Sequence, residues 1–174
     1  GLINDILMIS RLESKEAEVT FSDVRISVLL EEIVDSLKPQ AAEAQVFIHV
    51  DCQPLMIHAN LQQMRELLTN LISNAVKYNR PGGQVWVNIR ETDGQMVIRV
   101  KDNGVGIPSD SLDRIFERFY RVDKGRSRKQ GGTGLGLSIV KHIVNFYHGT
   151  IHVSSEPDIG SEFTVFLPMT GEKG

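Results

Sequence analysis

Hydrophobic residues recur along this chain with a period of three to four in some stretches and a period of two in others. The longer period predicts helices over Ile26–Ala44, Asn60–Tyr78 and Leu135–Tyr147. Asn60–Tyr78 has a wide apolar face, made of Leu61, Met64, Leu67, Leu68, Leu71, Ile72, Ala75 and Val76. Each of these segments is expected to bury one face against the rest of the fold.

Alternating apolar and polar residues predict strands. Gln84–Arg90 and Gln95–Asp102 alternate on either side of Asp93–Gly94, a dipeptide typical of a hairpin turn. A second hairpin is predicted around Pro157–Gly160, between Thr150–Ser154 and Ser161–Leu167. Shorter elements are expected as strands at Val19–Val24, Val46–Val50 and Leu55–His58, and as a helix at Ser109–Phe116. This mixture predicts an α+β fold in which helices cover one face of a mixed, mainly antiparallel sheet.

Residues 2–14 carry a broad apolar stripe at helical spacing. A helix this short does not bury such a stripe alone. We therefore expect it to have packed in a helical bundle, with docking on its own domain as the alternative. The chain begins at Gly1 inside this pattern, which indicates a piece of a longer protein.

Composition narrows the class of protein. A length of 174 residues favours one domain with a short appendage. The net charge of −3 gives no reason to expect nucleic-acid binding. The single cysteine, Cys52, excludes an internal disulfide and fits a reducing compartment. No apolar run approaches the length of a membrane span.

A polar stripe lies beside the apolar face of the helix predicted over Asn60–Tyr78. Asn70 and Asn74 are four residues apart and share a helical face, which Lys77 continues. An amide oxygen is a hard ligand for Mg²⁺ and an ammonium group balances phosphate charge, so the stripe suits a metal-bridged polyphosphate. Taken alone, the stripe has an alternative interpretation, in which the asparagines lie on an exposed face and only hydrogen-bond to water.

A glycine-containing segment follows the second strand of the first hairpin. Asp102 is in step with the apolar residues of that strand, so its carboxylate is expected to enter an apolar pocket. A buried carboxylate needs a hydrogen-bond donor, and an adenine amino group is a suitable one. Gly104 and Gly106 allow the backbone to approach a ligand. The alternative is a plain turn.

A second glycine-rich segment, Gly131–Leu137, leads into the last predicted helix. Its glycines expose backbone N–H groups, and a helix N-terminus favours phosphate. It lacks the Gly-Lys-Ser or Gly-Lys-Thr of a Walker A loop and the preceding parallel strand unit of a Rossmann fingerprint. The basic residues near it form either a solvated loop or contacts to terminal phosphates: Arg114, Arg118, Arg121, Lys124, Arg126, Arg128 and Lys129.

Together and in this order, these segments resemble the catalytic ATP-binding domain of bacterial sensor histidine kinases. Asn70–Asn79 is similar to the N box of that family and Asp102–Pro108 to its first glycine box. Ile115–Tyr120 is similar to its F box and Gly132–Leu137 to its second glycine box. The resemblance covers nearly the whole chain. It implies a two-layer α/β sandwich of the Bergerat type, the binding of ATP and Mg²⁺, and a lid over residues 117–134.

The resemblance also implies roles for individual residues. Asn70 and Arg121 would take part in catalysis, Asn74 would hold the metal ion, and Asp102 would contact adenine. The implied ATP-binding set is Asn74, Lys77, Tyr78, Asp102, Gly104, Gly106, Ile107, Tyr120, Arg121, Thr133, Gly134, Leu135, Gly136 and Leu137. Aromatic residues expected to anchor the lid are Phe116, Phe119 and Tyr120.

The implied organisation is that of part of a kinase. Residues 1–18 would end a dimerisation helix, residues 19–170 would form the catalytic domain, and residues 171–174 would be a tail. None of the 5 histidines lies in the Leu-Arg-Thr-Pro-Leu-like context of the family's phosphoacceptor helix. The acceptor would therefore lie on a dimerisation domain of the parent, and a response-regulator receiver domain would accept the phosphate in turn. The parent would be a homodimeric, membrane-anchored sensor with this part in the cytoplasm, and the isolated fragment would be monomeric.

Other interpretations remain open at this stage. Gyrase-type, chaperone and mismatch-repair ATPases resemble the chain in fold, but they use a glutamate as base where Asn70 stands, which disfavours hydrolysis here. A nucleotide-sensing module without catalysis is a further alternative. Anti-sigma-factor serine kinases share the fold too, but the long basic lid and the helix remnant favour a histidine kinase.

Overall fold

The computed structural model describes residues 19–118, 120 and 136–169. Its elements, in chain order, are β1 (Ser22–Arg25), α1 (Ile26–Ala44), β2 (Phe47–Cys52), β3 (Met56–Ala59), α2 (Leu61–Lys77), β4 (Gln84–Thr92), β5 (Gln95–Asp102), α3 (Gly136–Phe146), β6 (Thr150–Glu156) and β7 (Gly160–Pro168). The helix predicted at residues 2–14 and the basic loop at residues 124–132 lie outside the described residues.

Five strands form the main sheet in the order β2-β4-β5-β7-β6. β2 and β4 are parallel, whereas the other neighbours are antiparallel. β1 and β3 form a separate antiparallel pair. The mixed, mainly antiparallel sheet predicted from the sequence is therefore confirmed. The Asp93–Gly94 hairpin is confirmed as well, since both residues have positive φ, as a tight turn between twisted strands requires.

The three helices pack against one face of this sheet. α1 contacts β2, α2 contacts β4 and β5, and α3 contacts β6 and β7. α2 lies between the other two helices and packs on both. The inward side chains of the central strand β5, Met96, Ile98 and Val100, are fully buried. Burial of this continuous apolar layer is the main force that fixes the helices to the sheet.

Helix α2 has defined ends. Asn60 caps its start, where the side-chain Oδ1 accepts a hydrogen bond of 2.9 Å from the Gln63 N–H. The helix ends at Lys77, and the Tyr78 N–H still bonds to the Asn74 carbonyl at 3.1 Å. The polar stripe predicted on this helix therefore continues to its last turn.

The helix predicted at Ser109–Phe116 is wrong. The segment is a succession of turns, in which the N–H groups of Ser111, Arg114 and Glu117 bond to carbonyls three residues earlier, each at 2.9 Å. Four of its first five residues are Ser or Asp, whose side chains compete with the backbone for hydrogen bonds. A single short segment of this kind does not gain enough from helix propagation to offset nucleation. The strand predicted at Val19–Val24 is also displaced, since β1 begins only at Ser22.

None of the helices in the described ranges is long and apolar enough to cross a membrane.

Candidate functional site

The first part of the site is the polar edge of α2. Asn70, Asn74 and Lys77 are all half-buried and lie beside the fully buried apolar face of the helix, as the sequence predicted. The Asn70 Nδ2 donates to the Glu66 carbonyl at 2.7 Å and lies 3.4 Å from the Glu66 carboxylate. These donations orient the amide, so that its oxygen is directed away from Glu66.

Asn74 differs from Asn79, a structural asparagine in the connection between α2 and β4. Asn79 is 7% exposed and uses both ends of its amide, donating to the Gln84 carbonyl at 3.0 Å and accepting from the Arg80 N–H at 2.9 Å. Within residues 19–118, 120 and 136–169, the Asn74 side chain makes no hydrogen bond. Its amide is therefore available to a ligand.

A metal ion at this edge would have few protein ligands. The part of the chain that the structure describes holds no cluster of three or more His, Cys, Asp or Glu residues. Mg²⁺ bound to a nucleotide takes most of its ligands from phosphates and water and needs only one or two from the protein. The available amide oxygen of Asn74 fits such a site.

Asp102 forms the second part of the site. It ends β5 on the core face of the sheet and is only 7% exposed. Its Oδ1 accepts a 2.9 Å hydrogen bond from the Gly104 N–H, and the Ser161 backbone donates a further one. Burial nevertheless raises the pKa of Asp102 to about 6, against the lowering effect of these two donors. A carboxylate has acceptor positions beyond these two, so a ligand amino group has a place to bond.

The loop after Asp102 crosses the end of α2 at very short range. A Cβ at Gly104 would fall against the Tyr78 carbonyl oxygen and 2.9 Å from the Asn79 Cα. Gly106 has a φ of 72°, and a Cβ there would meet the Glu156 carbonyl. In the structure, both glycines permit a close approach to the chain's own backbone. Their approach to a ligand stays a prediction.

The third part of the site is the start of α3. A Cβ at Gly136 would lie 3.0 Å from the Asn70 Oδ1, so the second glycine segment and the polar edge of α2 are in contact. The first N–H groups of a helix lack partners within the helix and carry a partial positive charge. Leu137 is half-buried and packs against the core. The predicted site residues Arg121, Thr133, Gly134 and Leu135 lie outside the described residues.

Tyr120 behaves as an anchor in the described part of the lid. Its hydroxyl donates to the Ser111 Oγ at 3.0 Å, and the Arg114 guanidinium carbon lies 4.6 Å from its ring centroid. Phe116 packs edge-on against Phe163 of the core, with ring centroids 6.4 Å apart. These contacts support the interpretation of the two aromatic residues as lid anchors. Tyr78 caps α2 and Ile107 packs on the core, both half-buried.

Several residues that shape the site were not indicated by the sequence. The Ser155 Oγ accepts from the Ile107 N–H at 2.7 Å, and Ser161 supports Asp102. Arg80 donates to the Gly104 carbonyl at 3.2 Å. Serine and arginine are common in turns and strands, so their presence alone gives no signal. The contact between Ser161 and Asp102 follows from the pairing of β5 with β7, which puts the two residues opposite each other.

A helix layer on a mixed sheet, with a buried carboxylate and a glycine-flanked polar helix edge, defines a nucleotide-binding α/β sandwich. Residues 59–171 match the family described as "Histidine kinase-, DNA gyrase B-, and HSP90-like ATPase". The chain belongs to this family. The predicted Bergerat-type fold is therefore confirmed.

Comparison with individual proteins narrows the class. The chain is 36% identical over 169 residues to Sensor protein kinase WalK of Staphylococcus saprophyticus, and 33% identical to WalK of Staphylococcus aureus. These matches cover 96% of this chain, but only 28% and 41% of the two relatives. The chain thus corresponds to a minor part of the length of its relatives.

Solved structures agree with this assignment. Full-length ShkA in complex with AMPPNP superposes with a TM-score of 0.82 at 31% identity, over 99% of this chain and 36% of that one. The nucleotide-free catalytic domain of the histidine kinase ThkA has a TM-score of 0.76 at 23% identity, over 90% of this chain and 100% of that one, and supports the fold alone. The chain is an ATP-binding catalytic domain of the sensor histidine kinase type, as its sequence motifs predicted.

Proposed function

We propose that this domain transfers the γ-phosphate of Mg²⁺-ATP to a histidine on a dimerisation domain, for onward transfer to the receiver domain of a response regulator. The observation that carries the proposal is the contact between Asn70 and the start of α3, where Gly136 lies against the Asn70 Oδ1. This contact joins the N-box helix to a helix N-terminus suited to phosphate.

In this proposal the site has two tasks. Asp102 binds the adenine amino group, because its buried carboxylate has acceptor capacity left. Asn74 and Lys77, on the last turns of α2, would hold the metal ion and the phosphates. The metal ion, when bound, supplies neutralisation of phosphate charge.

Transfer to a histidine is favoured over transfer to water by the identity of residue 70. An amide does not act as a general base, whereas the related ATPases use a carboxylate at that position. The Asn70 amide is fixed by its bonds to Glu66 and therefore serves to position the reacting groups. We infer that Arg121, from the lid, assists the terminal phosphate.

The parent protein is proposed to be a homodimeric sensor that is anchored in a membrane, with this domain in the cytoplasm. Support comes from the relatives, which are named sensor protein kinases and of which the matched segment spans only 28% and 41%. The isolated domain is proposed to be monomeric, because the family dimerises through the separate helical domain.

Phosphotransfer to a separate acceptor tests the proposal. The chain is incubated with γ-labelled ATP, Mg²⁺ and the acceptor-helix domain of its own parent protein. Acid-labile label should form on the acceptor and not on this chain alone. Asn70→Ala should reduce the rate by about 100-fold, as expected for a lost positioning group.

Asn88→Ala is the matched control. Asn88 lies on the opposite face of the sheet, where its amide contacts Asp51 at 3.3 Å, so the variant should react as the original chain does. Release of inorganic phosphate without labelled acceptor would instead favour an ATPase. Binding of ATP without either product would favour a nucleotide-sensing module.

A further inference from the structure

Arg80 lies in the connection between α2 and β4, outside the polar stripe and the glycine segments. We propose that it is a positioning residue for nucleotide binding, which fixes the loop after Asp102 against the β6–β7 turn. The inference rests on the proposed adenine contact of Asp102.

One nitrogen of Arg80 joins two separate segments. Its Nη2 donates to the Gly104 carbonyl at 3.2 Å and to the Asp158 carbonyl at 2.6 Å. The Asp158 N–H in turn donates to the Val105 carbonyl at 2.8 Å. The loop and the turn are thus joined directly by one backbone bond and indirectly by Arg80.

Gly104 transmits this restraint to the carboxylate. Its N–H donates to the Asp102 Oδ1, and its carbonyl accepts from Arg80. A glycine has more backbone freedom than other residues, so its conformation depends on such external contacts. Arg80 therefore stabilises the backbone orientation that aims the Gly104 N–H at Asp102.

The partners that matter for Arg80 are the main-chain carbonyls of Gly104 and Asp158, rather than the Asp158 carboxylate. The Asp158 carboxylate is 3.8 Å from the Arg80 Nη2, and its side chain is 93% exposed. Exposed ion pairs of this kind contribute little. The charge of Asp158 is consequently dispensable, whereas the guanidinium group of Arg80 is not.

Removal of the guanidinium group should loosen the loop and misalign Asp102. In Arg80→Met, the affinity for ATP should fall by roughly three- to tenfold, the effect expected for the loss of hydrogen bonds of this type. Affinity for GTP should fall less, since GTP does not use the adenine contact. Because ATP and GTP carry the same phosphates, the ratio of their affinities cancels any effect of the lost positive charge.

Calorimetry with ATP and GTP tests the inference on the original chain, Arg80→Met and Asp158→Asn. We expect a lower ATP-to-GTP preference in Arg80→Met and an unchanged preference in Asp158→Asn. Hydrogen exchange without nucleotide gives a second readout, in which the Gly104 amide should exchange faster in Arg80→Met only.

An unchanged nucleotide preference together with unchanged Gly104 exchange in folded Arg80→Met would overturn the inference. An equal loss in Asp158→Asn would also overturn it, because an ion pair would then be the cause. Failure of the original chain to bind ATP would instead contradict the proposed function, and the exchange measurement would still decide whether Arg80 restrains the loop.

Discussion

Asp102 is a carboxylate that the fold buries at the end of its central strand, where the backbone N–H groups of Gly104 and Ser161 are its donors among the described residues. Burial raises its pKa to about 6, so at neutral pH the folded protein holds a charge that is costly without a ligand. A bound amino group supplies the missing donor. The Asp102 carboxylate therefore lowers the stability of the nucleotide-free chain and raises its affinity for the nucleotide.

Asp102→Asn should stabilise the nucleotide-free chain by roughly 1–3 kcal/mol at pH 7.5. The folded-state pKa of Asp102, about 6, is above the ordinary value of 3.8, so the original chain loses stability as pH rises through this interval. The extra stability of Asp102→Asn over the original chain should therefore disappear near pH 4. Urea unfolding at several pH values measures this, with the exposed Asp110→Asn as control. A pH-independent difference would contradict the assignment of the raised pKa to Asp102.

Asp102→Ala should weaken ATP binding by roughly tenfold or more and reduce the preference for ATP over GTP. The reason is that the buried acceptor for the adenine amino group is lost. Competition binding with the two nucleotides measures both effects, and Asp110→Ala is the control for a general change of charge. Retention of the full ATP preference in a folded variant would show that Asp102 only shapes the turn.

At the scale of elements, α2 and α3 are joined at the end opposite the site. The Tyr147 hydroxyl, directly after α3, accepts from the Asn60 N–H at 2.9 Å and donates to the Gln63 Oε1. Gln63 is 3% exposed, and burial raises the pKa of Tyr147 to about 12. This connection fixes the start of α2 to the end of α3, while Asn70 and Gly136 meet further along the same pair.

Tyr147→Phe should reduce the free energy of unfolding by about 1–3 kcal/mol, because the buried Gln63 side chain and the half-buried Asn60 N–H lose their hydrogen bond at once. Urea denaturation measures the change, and Asn145→Ala on the exposed side of α3 provides the comparison. A Phe variant as stable as the original chain would mean that water replaces the hydroxyl. The connection would then be unimportant for the helix pair.

Two glycines with positive φ, one in contact with other backbone and one in open space, test how tightly the loop that contains Gly106 packs. Gly106 and Gly82 both have positive φ, 72° and 82°, but a Cβ at Gly82 has no atom within 4 Å. Gly82→Ala should cost about 1–2 kcal/mol from backbone strain alone. Gly106→Ala should cost at least about 1 kcal/mol more, since its Cβ meets the Glu156 backbone. Equal thermal stabilities of the two variants would contradict the tight packing of this loop.

At the scale of the whole molecule, the sheet order brings distant segments together. Asp102 on β5 is paired with Ser161 on β7, which lies 59 positions later in the chain. Helix α2 packs between the other two helices. The site therefore exists only in the folded domain, although each of its parts is a short local segment.

The sequence predicted the long periodic elements well because each buries one continuous face, as the wide apolar face of α2 illustrates. It failed at Ser109–Phe116, where polar side chains favour turns over a weak helical pattern. Local sequence context alone placed Asn70, Asp102 and Gly136 in candidate motifs, and their roles stay a prediction. The supports from Ser161 and Arg80 were not identified in this way, because strand register and a turn contact, rather than local sequence, create them.

We propose that the edge of α2, the loop after Asp102 and the start of α3 form one Mg²⁺-ATP site. Isothermal titration of the chain with ATP, with and without Mg²⁺, tests it most directly. We expect saturable binding at one site per chain, tighter with Mg²⁺ than without it and weakened by Asp102→Ala. Absence of binding at millimolar ATP in the presence of Mg²⁺ would show that these three segments do not form such a site.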